Sequence, residues 1–472
     1  TGDSRRMGAY QGFGQIDVLL GHDPKKVTDY RRELDLRTGI HTVTYTYEDV
    51  RYRREAFCSY PTGLFAIRFT ADTPGALTGD VELMSMHPAT IRKAADGIEF
   101  AGELKSNKRK FKAVMRLRAE GGRVLPEAGK DGERTVKHRR YTSIRPFNAV
   151  RVEGADSLTL YVAADTNYSF DAAKDFRGID PAEKIAPRLA HIGRQSFDAM
   201  KQGAADDVTE LFDRCTLDLA TDTPDAEGLP TDQRKSAYRA GASDPGFEAL
   251  AFSAQRYMMI ASSRPGSLPA NLQGIWNNSN WPAWTSDYHA DINIQMAYWF
   301  TEPANLAECN QALFDYIESQ IPVRRRHSKA RYGDDVRGWN VHYMNNIFGG
   351  YAYKDFPAGS AWYAQHFAEH FKFNQDESYL QERAYPVLKE LSQHWQDLLI
   401  ERPNGVLVTP KTMSPEHKPQ QYAISQDLQI VHNLFSDFIA TSKRQQRDAE
   451  FRETLADMRQ RLVPIKIGRW GQ

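Results

Sequence analysis

The sequence has 472 residues in which 61 Lys and Arg balance 61 Asp and Glu, so no bulk field draws it to nucleic acid or to an anionic membrane surface. Hydrophobic residues at 41% and a mean hydropathy of -0.61 describe a folded globular protein, and no run of about 18 apolar residues supplies a membrane-spanning helix. Three widely spaced cysteines, Cys58, Cys215 and Cys309, indicate neither a disulfide framework nor a cysteine-based zinc site.

The length predicts two or three domains. Up to about Asp165, short stretches rich in β-branched and aromatic residues, at 40–47, 63–70, 113–118 and 158–163, recur between turn signals such as Thr73-Pro74-Gly75 and Gly121-Gly122. Such punctuation predicts a β-sandwich, and residues 1–185 are read as all-β. The period then changes. Apolar residues spaced by three and four predict helices at 185–200, 247–262, 360–373, 385–400, 428–441 and 449–462. A helical linker and connector is expected at 186–240, where the stretch 221–232 is rich in Pro, Asp and Thr, and a helical domain over 241–472.

The chemistry concentrates in two places. Residues 264–299, RPGSLPANLQGIWNNSNWPAWTSDYHADINIQMAYW, set Trp276, Trp281, Trp284 and Trp299 among Asn, Gln, Asp and His in a loop-like segment. Indoles beside amides suit a sugar, whose apolar ring face stacks while its hydroxyls take polar groups; a Trp-rich core under a long loop is the alternative. The second place is 408–418, VTPKTMSPEHK, where Glu416 stands in a loop between Pro415 and Pro419. Glycoside hydrolysis needs an acid for the leaving oxygen and a nucleophile or water activator on the other face, and Glu416 and Asp291 are candidates for the two roles. A solvated surface charge is the plainer reading of Glu416.

Three motifs in order, SSRPGSLPANLQGIWN at 262–277, HADINIQMAYW at 289–299 and SPEH at 414–417, resemble glycoside hydrolase family 95, inverting α-L-fucosidases and their α-L-galactosidase relatives. MGAYQGFG at 7–14, YRREAFCSYP at 52–61, LPTDQR at 229–234, GWNVH at 338–342, SAWYAQHFAEHF at 360–371 and YPVLKE at 385–390 extend the likeness over nearly the whole chain. The resemblance implies a multidomain β + α fold: an N-terminal β-sandwich, a helical linker, then an (α/α)6 toroid. It implies Glu416 as general acid, and Asn293 and Asp291 at the two positions that hold the attacking water. His289 matches a histidine that lines the sugar pocket and favours fucose. His342, Trp284, Trp299 and Trp362 are further substrate-binding candidates. A fucosylated oligosaccharide or polysaccharide is the implied partner, with no cofactor and no metal, and the implied setting is periplasmic or extracellular.

Two departures accompany the likeness. Position 291 is an amide in the family pattern and a carboxylate here, and the family's activating Asp, carried by a QIDGNFG-type segment, has no counterpart before Gln472. The resemblance therefore implies an incomplete piece holding only the first part of the toroid. A non-catalytic sugar-binding relative is one alternative that follows. A zinc metallopeptidase is another, because His366, Glu369 and His370 fit H-x-x-E-H. The basic runs 108–112 and 324–327 read as solvated charge.

Overall fold

The computed structural model describes residues 7–94, 96–137, 142–219, 226, 228–465 and 467–471. Its first part holds two facing antiparallel sheets. The larger has eight strands in the order Thr28–Asp35, Ile40–Tyr47, Val50–Ser59, Leu64–Ala71, Ser157–Thr166, Lys110–Glu120, Gly97–Glu103 and Thr90–Ala94. The smaller runs Gly14–Leu19, Leu77–Ser85, Thr142–Ala155 and Arg123–Leu125, with Gly132–Lys137 also paired to Thr142–Ala155.

The strand period explains why the central strand Ser157–Thr166 is buried on both faces. Successive side chains point to opposite sides of a sheet. Leu158 and Leu160 enter the core between the sheets with Val81, Phe100 and Val152. Tyr161 and Ala163 face the other way, onto Ile185, Phe197, Met200 and Ala204 of two helices. These are α1 (Pro181–Leu189) and α2 (Phe197–Phe212).

Two expectations from periodicity change here. The helix expected at 185–200 is two helices: Pro187 lies inside α1, a 3-10 turn follows at Ala190–Gly193, and Ser196 starts α2 by accepting from the Ala199 N–H at 3.1 Å. A proline without an N–H and a serine cap break a periodicity that the apolar pattern alone carries through. The helix α1 also begins at Pro181, inside the stretch read as all-β. Of the connector expected at 221–232, residues 221–225 and 227 lie outside the described residues.

The second part is helical: α3 (Thr231–Arg239), α4 (Pro245–Ser262), α5 (Asn293–Tyr298), α6 (Asn310–Tyr332), α7 (Pro357–Asn374), α8 (Glu377–Tyr379), α9 (Tyr385–Leu398), α10 (Ser425–Gln445) and α11 (Ala449–Arg461). One apolar cluster runs through it and contains Leu313, Phe314, Phe367, Leu391, Trp395, Leu434 and Phe438, each fully enclosed. The connecting loops carry short strands: Tyr288–His289, Val341–Asn345 and Tyr351–Phe356 form a three-stranded sheet, and Thr412–Ser414 pairs with His417–Gln421.

The two parts are tied along the loop at 277–286. Tyr10 N–H donates to the Thr285 carbonyl at 2.8 Å and Gly12 N–H to the Ser279 carbonyl at 3.0 Å. Asn277 Nδ2 returns a bond to the Tyr10 carbonyl at 3.0 Å, and Asn280 Nδ2 reaches the Met86 carbonyl at 2.8 Å. The β-domain therefore holds the Trp-bearing loop in place.

Candidate active site

The sequence alternates Asp287, His289, Asp291 and Asn293, and the backbone around them is pinned at three points. Tyr288–His289 pairs antiparallel with Val341–Asn345, His289 lying opposite Met344. Ala290 N–H donates to the Tyr343 carbonyl at 2.9 Å, and Gln295 Nε2 donates to the Ala290 carbonyl at 2.6 Å. Asp291 thus sits between the end of a strand and the start of α5, whose first residue is Asn293, exposed. Upstream, Trp284, Thr285 and Ser286 take φ of 47°, 58° and 49°, a left-handed run that non-glycine residues rarely adopt. The Tyr10 bond, the Ser286 hydroxyl on Asn271 Oδ1 at 3.0 Å and the Thr285 hydroxyl on Asp287 Oδ2 at 2.5 Å hold it there.

His289 Nε2 lies 2.8 Å from Asp287 Oδ1, a close ion-pair contact whose angle falls short of a hydrogen bond. Burial pulls the imidazole pKa down, but the Asp287 carboxylate, Asp291 and the Trp284 backbone outweigh it, so the net shift is upward. Asp291 is pushed up chiefly by burial; its own backbone and His289 work against this, and the nearby charges of Glu416 and Asp287 add to it. Asp291 and Glu416, far apart in sequence, are thus brought into the same region of the fold.

Glu416 stands at the tip of a hairpin rather than in an unstructured loop. Ser414 pairs with His417, so Pro415 and Glu416 form the two-residue turn, with Glu416 exposed and left-handed at φ 50°. Proline presets the first turn position and the second turns left-handed, a combination that tight turns use. Behind the hairpin, the Tyr343 hydroxyl donates to the Met413 carbonyl at 2.9 Å. Tyr343 is buried, and after burial the charge of Asp427, with smaller contributions from Asp291, Tyr353 and Glu416, helps to raise its pKa. Burial lifts Asp427 itself to about 6, against the hydrogen bond from Thr412.

The remaining expected residues divide. Trp284 is 75% exposed and Trp299 is 50% exposed, and Trp299 and Trp362 approach at 6.2 Å between ring centroids with their planes tilted by 45°. Trp362 is half-buried against the helical core. His342, expected to line the sugar site, is buried. Because the pairing with Tyr351–Phe356 shifts register between His342 and Met344, His342 lines the same cleft as its neighbour Tyr343. There its ring stacks on Tyr351 at 3.5 Å, and burial with the charges of Arg324, His327 and Arg331 pushes its pKa down to about 2. It lines a cleft of about 520 Å³ together with Tyr343, Lys354, Thr412, Met413 and Gln420. Glu416, Asp291, Asn293 and His289 are not among the residues that line it.

The H-x-x-E-H segment does not form a zinc site. Glu369 is exposed, His366 is buried, and His370 Nδ1 is taken by Glu302 Oε1 at 2.5 Å. Among the described residues no group of three or more His, Cys, Asp or Glu side chains is arranged to hold a metal ion.

Four residues with a part in this geometry escape sequence reasoning: Asp287, Tyr343, Thr412 and Asp427. The two-residue spacing of Asp287, His289, Asp291 and Asn293 is a signal for the first, because in an extended segment that spacing keeps side chains on one side. Nothing local marks the other three, which meet the site through tertiary contacts.

Residues 196–472 match the glycosyl hydrolase family 95 catalytic domain, and residues 1–171 match the glycosyl hydrolase family 65 N-terminal domain. The chain is 30% identical over 499 aligned residues to "Probable alpha-fucosidase A" of Aspergillus niger, covering 100% of this chain and 60% of that protein. It is 29% identical to "Alpha-L-fucosidase 2" of Arabidopsis thaliana, covering 92% of this chain and 54% of that protein. The chain therefore spans three-fifths or less of the length of these curated relatives. In fold it is similar to a kojibiose phosphorylase from the human microbiome, with a TM-score of 0.60 at 12% identity over 95% of this chain and 59% of that one. A bacterial glucoamylase gives a TM-score of 0.50 at 10% identity over 96% of this chain and 61% of that one. The β-sandwich followed by a helical domain of the (α/α)6 type is thus an architecture shared with carbohydrate-active enzymes of very different sequence.

Proposed function

Because the chain belongs to glycoside hydrolase family 95, we propose that it serves the hydrolysis of terminal α-L-fucosyl residues from oligosaccharides or glycans, with inversion at the anomeric carbon. The observation that carries this reading is that Tyr343 ties the junction bearing Asp291 and Asn293 to the hairpin bearing Glu416, at a site that also presents exposed indoles.

In the proposed reaction Glu416 gives its proton to the glycosidic oxygen as the bond to the anomeric carbon breaks. A water on the opposite face, held by the Asn293 amide and an Asp291 oxygen, attacks that carbon and passes a proton to Asp291. The products are the free alcohol and β-L-fucose, and solvent returns a proton to Glu416 and takes one from Asp291. His289, paired with Asp287, borders the end of the sugar that carries the methyl group, and Trp284 and Trp299 offer stacking surfaces. A periplasmic or extracellular place of action goes with a glycan substrate.

The test is proton NMR of the first sugar released from 2'-fucosyllactose by the full-length protein. Inversion predicts that the β-anomer appears first and then mutarotates. An α-anomer as first product removes Asn293 and Asp291 from the water-holding role.

A further inference from the structure

Asp427 lies in the first turn of α10, is completely buried, and receives the Thr412 hydroxyl on its Oδ2. Its Oδ1 has no hydrogen-bond partner among the described residues. A buried carboxyl with a single hydrogen bond is costly, and a helix N-terminus alone does not require it to be enclosed. Thr412 opens the first strand of the hairpin whose turn is Pro415-Glu416, and it pairs with Gln421 at the base. The same base is closed by Ala423 N–H on the Thr409 carbonyl at 3.3 Å, and the other side of the strand is held by the Tyr343 hydroxyl on Met413.

We infer that Asp427, acting through Thr412, is a positioning residue that fixes the height and tilt of the Glu416 hairpin over the site. The inference rests on the proposed role of Glu416 as general acid. A strand of three residues has little stiffness of its own, and two side-chain anchors at consecutive residues, Thr412 and Met413, prevent it from rocking. Rocking by about 1 Å moves a proton donor out of line with its acceptor, and misplacement on that scale costs up to about 100-fold in rate.

The test compares Thr412→Val, Thr412→Ser, Asp427→Asn and Glu416→Gln in the full-length protein, on 2'-fucosyllactose and on an aryl α-L-fucoside with an acidic leaving group. Valine keeps the shape of threonine and removes the hydroxyl, whereas serine keeps the hydroxyl. Loss of general acid help shows on the poor leaving group and is muted on the activated one. A positioning role predicts that Thr412→Val loses about 10–100-fold in kcat on 2'-fucosyllactose and about 3-fold or less on the aryl fucoside. Asp427→Asn keeps an oxygen that can accept the Thr412 hydroxyl and should lose less than Thr412→Val, and Thr412→Ser should restore most of the activity. If Glu416→Gln shows the selective loss and Thr412→Val loses equally on both substrates or not at all, the positioning role is overturned and Asp427 serves only the helix. If Glu416→Gln itself loses equally on both substrates, the acid assignment fails and the inference falls with it.

Discussion

The Tyr343 hydroxyl donates to the Met413 carbonyl at 2.9 Å, joining the strand that lies beside Asp291 to the hairpin that carries Glu416. Both residues are buried, so the bond is made out of water and fixes one carboxyl-bearing segment relative to the other.

Tyr343→Phe removes the donor and leaves a buried carbonyl without a partner. Such a loss costs about 1–3 kcal/mol. Urea unfolding should show a lower midpoint with an unchanged slope. The raised pKa of Tyr343 keeps the wild-type phenol protonated, so the stability difference should not vary between neutral pH and pH 9.

Asp291 accepts a proton only when ionised, and burial first, with Glu416 and Asp287 after it, moves that ionisation to higher pH than an ordinary aspartate. The rising limb of kcat/KM against pH should therefore lie at higher pH than an ordinary aspartate would give. Asp291→Asn keeps a water-holding amide but removes the base, so kcat should fall by about 10²–10⁴-fold and the rising limb should lose this titration. Superimposable pH profiles for wild type and variant would deny Asp291 any share in the base step.

His289 bears on sugar choice. On the proposed reading, a histidine beside Asp287 takes the space that the extra hydroxyl of L-galactose needs, so L-fucosides should be preferred. His289→Thr should narrow the ratio of kcat/KM between the two sugars by about 10-fold or more, the scale that one small group in a pocket commands. Preference for L-galactosides in the unaltered protein would instead favour the α-L-galactosidase activity.

Arg256 ties the end of α2 to the helical domain. It is 1% exposed and donates to four backbone carbonyls, those of Phe212 at 2.5 Å, Cys215 at 2.8 Å, Leu211 at 2.9 Å and Ala304 at 3.2 Å. Arg256→Met fills much of the same space and leaves all four unpaired. We expect a loss of about 3 kcal/mol or more by urea unfolding.

Much of this protein is local in its sequence. Strands such as Ile40–Tyr47 and helices such as Tyr385–Leu398 follow from apolar spacing of two or of three and four, because those periods decide which residues share a face. The motifs around His289, Asp291, Asn293 and Glu416 were legible because each is a short run of unusual composition. What could not be read locally depends on which face of an element meets which neighbour. His342 and Tyr343 are adjacent in sequence, yet the charge of Arg324 acts on one and that of Asp291 on the other, because packing decides which charges lie near each ring. The break at Arg194–Ser196 lies in an apolar pattern that continues through it. Asp427 reads as an ordinary helix-start acid until folding buries it against Thr412, because enclosure and partner are properties of the packed chain rather than of any window of sequence.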